Sequence, residues 1–158
     1  MRHFWLPAEN SRLAKEWVAE KLGYGRSWEN ATAFVAADDE PMAAPINAAI
    51  IYHDWQPGRG TIEMTMFSED PAAWSRSAIA EAFAYPFDRA GCQLVKLSVA
   101  PGNQTMRAIA ARLGFTETVI RRGRGRYEND ILCTLSDDAW RASKFARRHG
   151  NALTSRAA

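Results

Sequence analysis

Between residues 61 and 87 the hydrophobic period changes, and that change constrains the fold more than any other feature of the chain. TIEMTMF (61–67) sets Ile62, Met64 and Met66 against Glu63 and Thr65, the two-residue period of a strand. A few residues later SRSAIAEAFAYPF (75–87) places Ile79, Ala82, Phe83 and Pro86 at i, i+3, i+4 and i+7. That is helical spacing, and Pro86 should end the helix near Tyr85. The amides of a helix's first turn have no intrahelical partners, so a strand–loop–helix junction is an anion-binding device. Such loops usually carry glycine, and DPAAWSRSA (70–78) has none. Ser75 suits an ordinary N-cap. Equally, the Ser75 and Ser77 hydroxyls and the Arg76 guanidinium are donors that suit phosphate. Read from the residues alone, both roles stay open.

The rest of the chain supplies the setting. RHFWLP reads as a short strand ended by Pro7, and Glu9–Leu22 as a helix with Leu13, Trp17 and Val18 on one side, closed by Gly23. GYGRSWENA is a loop, ATAFVAA a strand, DDEP a turn, INAAIIYHD a strand and QPGRG a turn leading to TIEMTMF. This succession implies an antiparallel meander. After the helix at 75–85, QLVKLSV alternates as a strand, and NQTMRAIAARLGF is helical through Met106, Ile109, Ala110 and Leu113, with Gly114 as its stop. TETVIRR and RYENDILCTL are two strands around an Arg/Gly turn, and SDDAWRASKFARR closes as a helix with acids first and bases last. The order β-α-β-β-β-α-β-α-β-β-α predicts an α/β (α+β) domain, one unit over 1–150, with 151–158 as a flexible C-terminal tail.

Composition narrows the function classes. A chain of 158 residues is one domain's worth, with 47% apolar and 24% charged residues. A net charge of +2 is too mild to argue for nucleic acid by itself. The positive charge does gather in RRGRGR (121–126) and KFARRHG (144–150). Cys92 and Cys133 form no CxxC pair and read as buried, reduced thiols. His3, His53 and His149 are scattered, so no metal is expected. No apolar run suggests a signal core or membrane span, which predicts a cytoplasmic protein with no membrane partner.

Residues 91–140 carry a resemblance. A strand runs into Val99-Ala-Pro-Gly-Asn103, a helix ends in Leu113-Gly114-Phe115, and a strand follows with Arg121 and Arg122. Asp130 then precedes Leu135, and Asp138 and Trp140 open an acidic-aromatic helix. In order and spacing this resembles the C-terminal half of the GNAT superfamily of N-acetyltransferases, most closely its ribosomal-protein-alanine acetyltransferase branch. The family fold is a mixed, mostly antiparallel central sheet flanked by helices. In it TIEMTMF would be the fourth strand and Ser75–Tyr85 the pyrophosphate-binding helix. The family's R/Q-x-x-G-x-G/A loop is here replaced by Ser75-Arg76-Ser77.

The resemblance implies acetyl-CoA as co-substrate, no metal, and transfer of an acetyl group to a primary amine by direct attack on the thioester. The amine would belong to a protein N-terminus or a small molecule. Coenzyme contacts carry over to Met66, Trp74, Ser75, Arg76, Ser77, Ala78, Val99, Asn103 and Arg107. The amine must arrive neutral, so a carboxylate base is wanted, and Glu63 is the first candidate, with His53 and Asp54 weaker ones. The family's usual acid, a tyrosine seven residues after the asparagine, is Ala110 here; Tyr127 is the first substitute, with Ser98 or water behind it. A homodimer is one assembly left open. Two other readings stand beside the enzyme. One is a catalytically degenerate GNAT-like acyl-CoA-binding protein, motivated by the missing glycines and tyrosine. The other is a nucleic-acid-binding protein, which rests on the arginines alone and lacks interleaved aromatics.

Overall fold

The computed structural model describes residues 1–23, 28–39 and 45–146. In chain order the elements are β1 (Arg2–Leu6), α1 (Arg12–Leu22), β2 (Thr32–Ala37), β3 (Ile46–Gln56), β4 (Thr61–Ser68) and α2 (Arg76–Ala84). There follow β5 (Leu94–Val99), α3 (Gln104–Leu113), β6 (Thr116–Gly125), β7 (Glu128–Ser136) and α4 (Asp137–Ala142). The order matches the one read from hydrophobic periods, and the fold is the mixed α/β kind, with mostly antiparallel strands flanked by helices. The backbone groups into two compact units, one of residues 1–55 with 63–82 and one of 56–62 with the residues from 83 onward.

In the first unit the strands lie in the order β1-β2-β3-β4, with β1–β2 and β2–β3 antiparallel. β2 and β3 read as near-continuous apolar runs because both their faces are covered. On one face Ala14 and Val18 of α1 pack with Trp28, Ala33, Val35, Ala49, Ile51 and Phe67. On the other, Ala36 and Ala48 meet Ala73 and Trp74, and Tyr52 donates from its hydroxyl to the Ala82 carbonyl of α2 at 2.8 Å. Alanine at these positions leaves room for a helix on each side. Ahead of α1 the expected helix start at Glu9 is a 3-10 turn, Ala8–Asn10, and Ser11 is fully buried with its hydroxyl donating to the Ala31 carbonyl at 2.8 Å.

In the second unit β7 lies between β5 and β6, antiparallel to both. Within it Phe83 stacks on Trp140 with centroids 4.9 Å apart and meets Phe115 edge-on at 6.1 Å. Three sequence expectations need correction here. The helix at 75–85 does not stop at Tyr85: α2 widens into a π-helical turn, Tyr85–Arg89, closed by the Ala90 N–H donating to the Tyr85 carbonyl at 2.8 Å. Pro86 has no N–H to give, and the wider turn carries the chain past it. The Arg/Gly segment is not the hairpin turn; that turn is Arg126-Tyr127, and residues 121–124 form a bulge within β6. The final helix breaks at Ser143, whose ψ of 154° is extended. Residues 147–158, including His149 and the expected tail, lie outside the described residues, as do the 24–27 and 40–44 parts of the expected loop and turn.

Candidate functional site

β4 presents Glu63, Thr65 and Phe67 on the face that α1 covers, since Phe67 joins the α1 core and packs edge-on against Trp17 at 5.5 Å. Met64 and Met66 point the other way by strand alternation. From β3, residues Ala49, Ile51 and His53 share the α1 face. His53 Nε2 lies 2.9 Å from Thr65 Oγ1, and His53 Nδ1 lies 2.6 Å from Asp54 Oδ2. Adjacent residues of an extended strand point to opposite faces. Asp54 escapes that rule because its φ is +50°, in the left-handed region that aspartate tolerates, and its carboxylate swings back onto the preceding imidazole. His53 is buried, with the Trp28 ring tilted against it at 5.5 Å.

His53, Asp54 and Glu63 each offer a ligand atom within 4.8 Å of the others. The scatter of histidines along the sequence concealed this convergence. Both ring nitrogens of His53 are engaged by protein oxygens, so a cation there would have to displace Asp54 or Thr65.

On the opposite face of the same unit, the start of α2 shows how its serines are used. Ser75 is the N-cap: its Oγ accepts from the Ala78 N–H at 3.1 Å, and its carbonyl accepts from the Ile79 N–H. The Ser77 hydroxyl lies 3.1 Å from Ser75 Oγ. Ser75, Arg76 and Ser77 are exposed, while Ala78 is buried. Trp74, just before the cap, packs against both His3 and Phe34, each centroid 5.8 Å away, and those two rings lie 5.7 Å from each other. Its indole Nε1 is buried without a hydrogen-bond partner among the described residues.

The second unit holds the other residues named from the sequence. Val99 is buried and pairs with Ile131. Asn103 is the N-cap of α3, accepting from the Met106 N–H at 3.1 Å. Arg107 donates to both Glu117 oxygens at 2.8 Å and to the Pro101 carbonyl at 2.9 Å. Those hydrogen bonds raise the Arg107 guanidinium and hold the Glu117 carboxyl below its ordinary value. Tyr127 stands 94% exposed in the β6–β7 turn. Ser98 donates to the Asp130 carboxylate at 2.7 Å, and Arg124 Nη1 reaches the same carboxylate at 3.2 Å. Ala110, at the position of the family's usual acid, is buried.

Solved structures resemble this fold. A mutant form of the spermidine N-acetyltransferase SpeG from Vibrio cholerae aligns with TM-score 0.70 at 14% identity, covering 89% of this chain and 97% of that one. The chain has the GNAT acetyltransferase fold. A dodecameric spermidine N-acetyltransferase from Vibrio cholerae gives 0.65 at 12% identity over 89% and 98% of the two chains. A GCN5-related N-acetyltransferase from Brucella melitensis gives 0.58 at 21% identity, over 86% of this chain and 62% of that one. No family model and no curated protein matches the sequence. At such identities the likeness is one of fold, and function must be argued from residues. Among the described residues no helix is long and apolar enough to cross a membrane.

Proposed function

We propose that this chain is an acetyl-CoA-dependent N-acyltransferase that moves an acetyl group to a primary amine by direct attack on the thioester. The observation that carries the reading is the junction of β4 with α2. One face of β4 sets Glu63 and Thr65 beside His53 of β3, and the carboxylate and the imidazole can take a proton from an ammonium. The loop that follows ends in an exposed first helical turn, where amides and the helix dipole favour an anion such as a pyrophosphate. A Ser75 hydroxyl committed to its own helix leaves the Arg76 and Ser77 N–H groups and the Arg76 guanidinium as the ligand's donors. Glu63 is the base in this reading. Tyr127 or water protonates the leaving thiolate, since Ala110 has no acidic group to offer.

The acceptor is a primary amine of a small molecule or of a protein N-terminus. Spermidine belongs in the first test because two of the neighbours named above are spermidine acetyltransferases. Peptides beginning with alanine belong there because residues 91–140 resemble the ribosomal-protein-alanine branch. Self-association into a homodimer or a larger assembly is part of the same reading, one neighbour being dodecameric. The buried Ala110 favours a second reading, an acyl-CoA-binding protein without turnover.

Release of coenzyme A from acetyl-CoA, followed across a panel of polyamines, amino acids and alanine-initial peptides, tests the proposal. Amine-dependent release supports it. Tight acetyl-CoA binding with no release on any amine favours the second reading, and no binding at millimolar acetyl-CoA removes both.

A further inference from the structure

An ammonium that becomes an amide gives up two protons, one before the nitrogen can attack and one after the C–N bond has formed. The leaving thiolate takes up one, so one net proton must leave the site. A single carboxylate holds one proton at a time, and Glu63 alone therefore cannot accept both in succession without first being emptied.

A second acceptor is built beside it. A carboxylate oxygen accepts hydrogen bonds when ionised, so at 2.6 Å from Asp54 Oδ2 it is His53 Nδ1 that carries the hydrogen. In the neutral imidazole Nε2 is then the acceptor, and Thr65 Oγ1 at 2.9 Å is the hydroxyl that donates to it. Carboxylate, imidazole and hydroxyl stand in the order that lets a hydroxyl pass a proton to a histidine whose cation a carboxylate stabilises. The surrounding charges agree. Asp54 faces the ring from β3, and Glu63 approaches from β4 within 4.8 Å. From α1, Lys15 spends its ammonium on the Trp28 carbonyl at 3.0 Å. The His53 side chain is 3% exposed and that of Asp54 is 47% exposed, so the buried ring has a solvent-facing neighbour through which a proton can leave.

We propose that Asp54, His53 and Thr65 form a relay that carries the second proton of the acyl transfer; this rests on the acyltransferase reading above. Glu63 takes the first proton from the ammonium. After the C–N bond forms, the nitrogen's second proton passes to Thr65 Oγ1 as the threonine's own hydrogen passes to His53 Nε2. The imidazolium then gives its Nδ1 proton by way of Asp54 to water. The ring regains its starting tautomer when water returns a proton to Nδ1 through Asp54 and Nε2 gives its own up through Thr65 Oγ1. Of the two protons removed, the thiolate sulfur recovers one through solvent or its acid, and the other is released. No covalent bond to the protein forms. His53 touches no substrate and acts through Thr65.

The test is the pH dependence of kcat for wild type, Thr65→Val, Thr65→Ser and His53→Gln, with acetyl-CoA affinity and circular dichroism measured on each. The relay predicts that Thr65→Val lowers kcat about 100-fold or more, the scale of a lost proton-transfer group. It also predicts loss of one ionisation from the profile, unchanged acetyl-CoA affinity, and recovery of most activity in Thr65→Ser. His53→Gln should show the same altered profile. Wild-type kcat and profile in Thr65→Val would overturn the relay and leave the acyltransferase reading standing. Equal losses in Thr65→Val and Thr65→Ser would overturn it too, marking a packing role. A wild-type protein that acetylates no amine removes the acyltransferase reading, and the relay with it.

Discussion

Arg107 grips Glu117 with two hydrogen bonds of 2.8 Å, Nε to Oε1 and Nη2 to Oε2. The pair joins α3 to β6, and the third guanidinium nitrogen holds the Pro101 carbonyl ahead of the α3 cap. Hydrogen bonds from Arg107 hold the Glu117 carboxyl below its ordinary value, against a smaller opposing effect of desolvation. A carboxyl depressed in the folded state contributes stability above its unfolded value, about 4.3, and loses it as pH falls through the folded value. Glu117→Gln is therefore expected to lower the urea midpoint at pH 7 and to match wild type near pH 2. The difference at pH 7 should shrink in high salt, because the pair is partly exposed. A midpoint difference that stays the same at both pH values would show that the bridge does not carry it.

Gly123 lies within the β6 bulge with no room for a side chain. A Cβ added there would meet Asp130 Cβ at 2.6 Å and the Ile120 carbonyl at 3.1 Å. Neither is the far end of a flexible side chain. Gly123→Ala should cost about 1–3 kcal/mol, the range for overpacking, measured by chemical denaturation. Gly58→Ala is the control, since nothing lies within 4 Å of its added Cβ, and it should fall within about 0.5 kcal/mol of wild type.

Why the fold was legible and the site only partly so follows from the range over which each signal acts. β5 shows its alternation because one side of it, Val95, Leu97 and Val99, is buried, and α3 shows its caps because Asn103 and Gly114 fill them. The bulge at 121–124 could not be told from a turn, because glycines at 123 and 125 suit either. The relay was less visible still. His53 and Thr65 are twelve residues apart and meet through β3 and β4, with Arg59 of the 57–60 turn midway between them. No short-range pattern marks the left-handed Asp54 that turns its carboxylate onto the ring.

The two cysteines give a chemical prediction. Both are buried free thiols, and burial pushes the Cys133 thiol up from its ordinary range. The thiolate is the reactive form, so a raised, buried thiol is inert. A disulfide-exchange reagent at pH 7.5 should modify neither cysteine in the folded protein and both in urea. A fast-reacting thiol in the native state would contradict the burial.

The α2 cap separates folding from ligand binding. Ser75→Ala removes the acceptor for the Ala78 N–H and should cost about 0.5–2 kcal/mol of stability. Arg76 is exposed, so Arg76→Ala should leave the melting temperature of the unliganded protein nearly unchanged. With acetyl-CoA at about 100 times Kd, wild type should gain about 2.7 kcal/mol, seen as a rise in melting temperature. Arg76→Ala should need more ligand for the same rise. An identical ligand dependence in the two proteins would remove Arg76 from the pyrophosphate site.

The arginine segment decides between an enzyme and a nucleic-acid binder. Arg121, Arg122, Arg124 and Arg126 read in sequence as a basic cluster, yet Arg124 turns inward onto Asp130 at 3.2 Å and Glu128 at 3.8 Å. Arg122 sits at a φ of 57° in the bulge, which breaks the alternation that would line side chains along one strand face. Arg121, Arg122 and Arg126 remain for phosphates. On single strands each phosphate contact adds about −0.7 to the log–log salt slope, so three contacts give about −2, or roughly a twentyfold loss of affinity between 50 and 200 mM salt. Binding to random DNA or RNA is expected to be non-specific, about 10⁻⁴ to 10⁻⁶ M at physiological salt. Arg122→Ala should weaken it slightly and spare acetyl-CoA affinity, whereas Arg124→Ala should lower stability by freeing Asp130 of its cation. Filter binding across that salt range is the measurement. Nanomolar, sequence-dependent affinity that survives at 200 mM would reverse the assignment and make nucleic acid the partner.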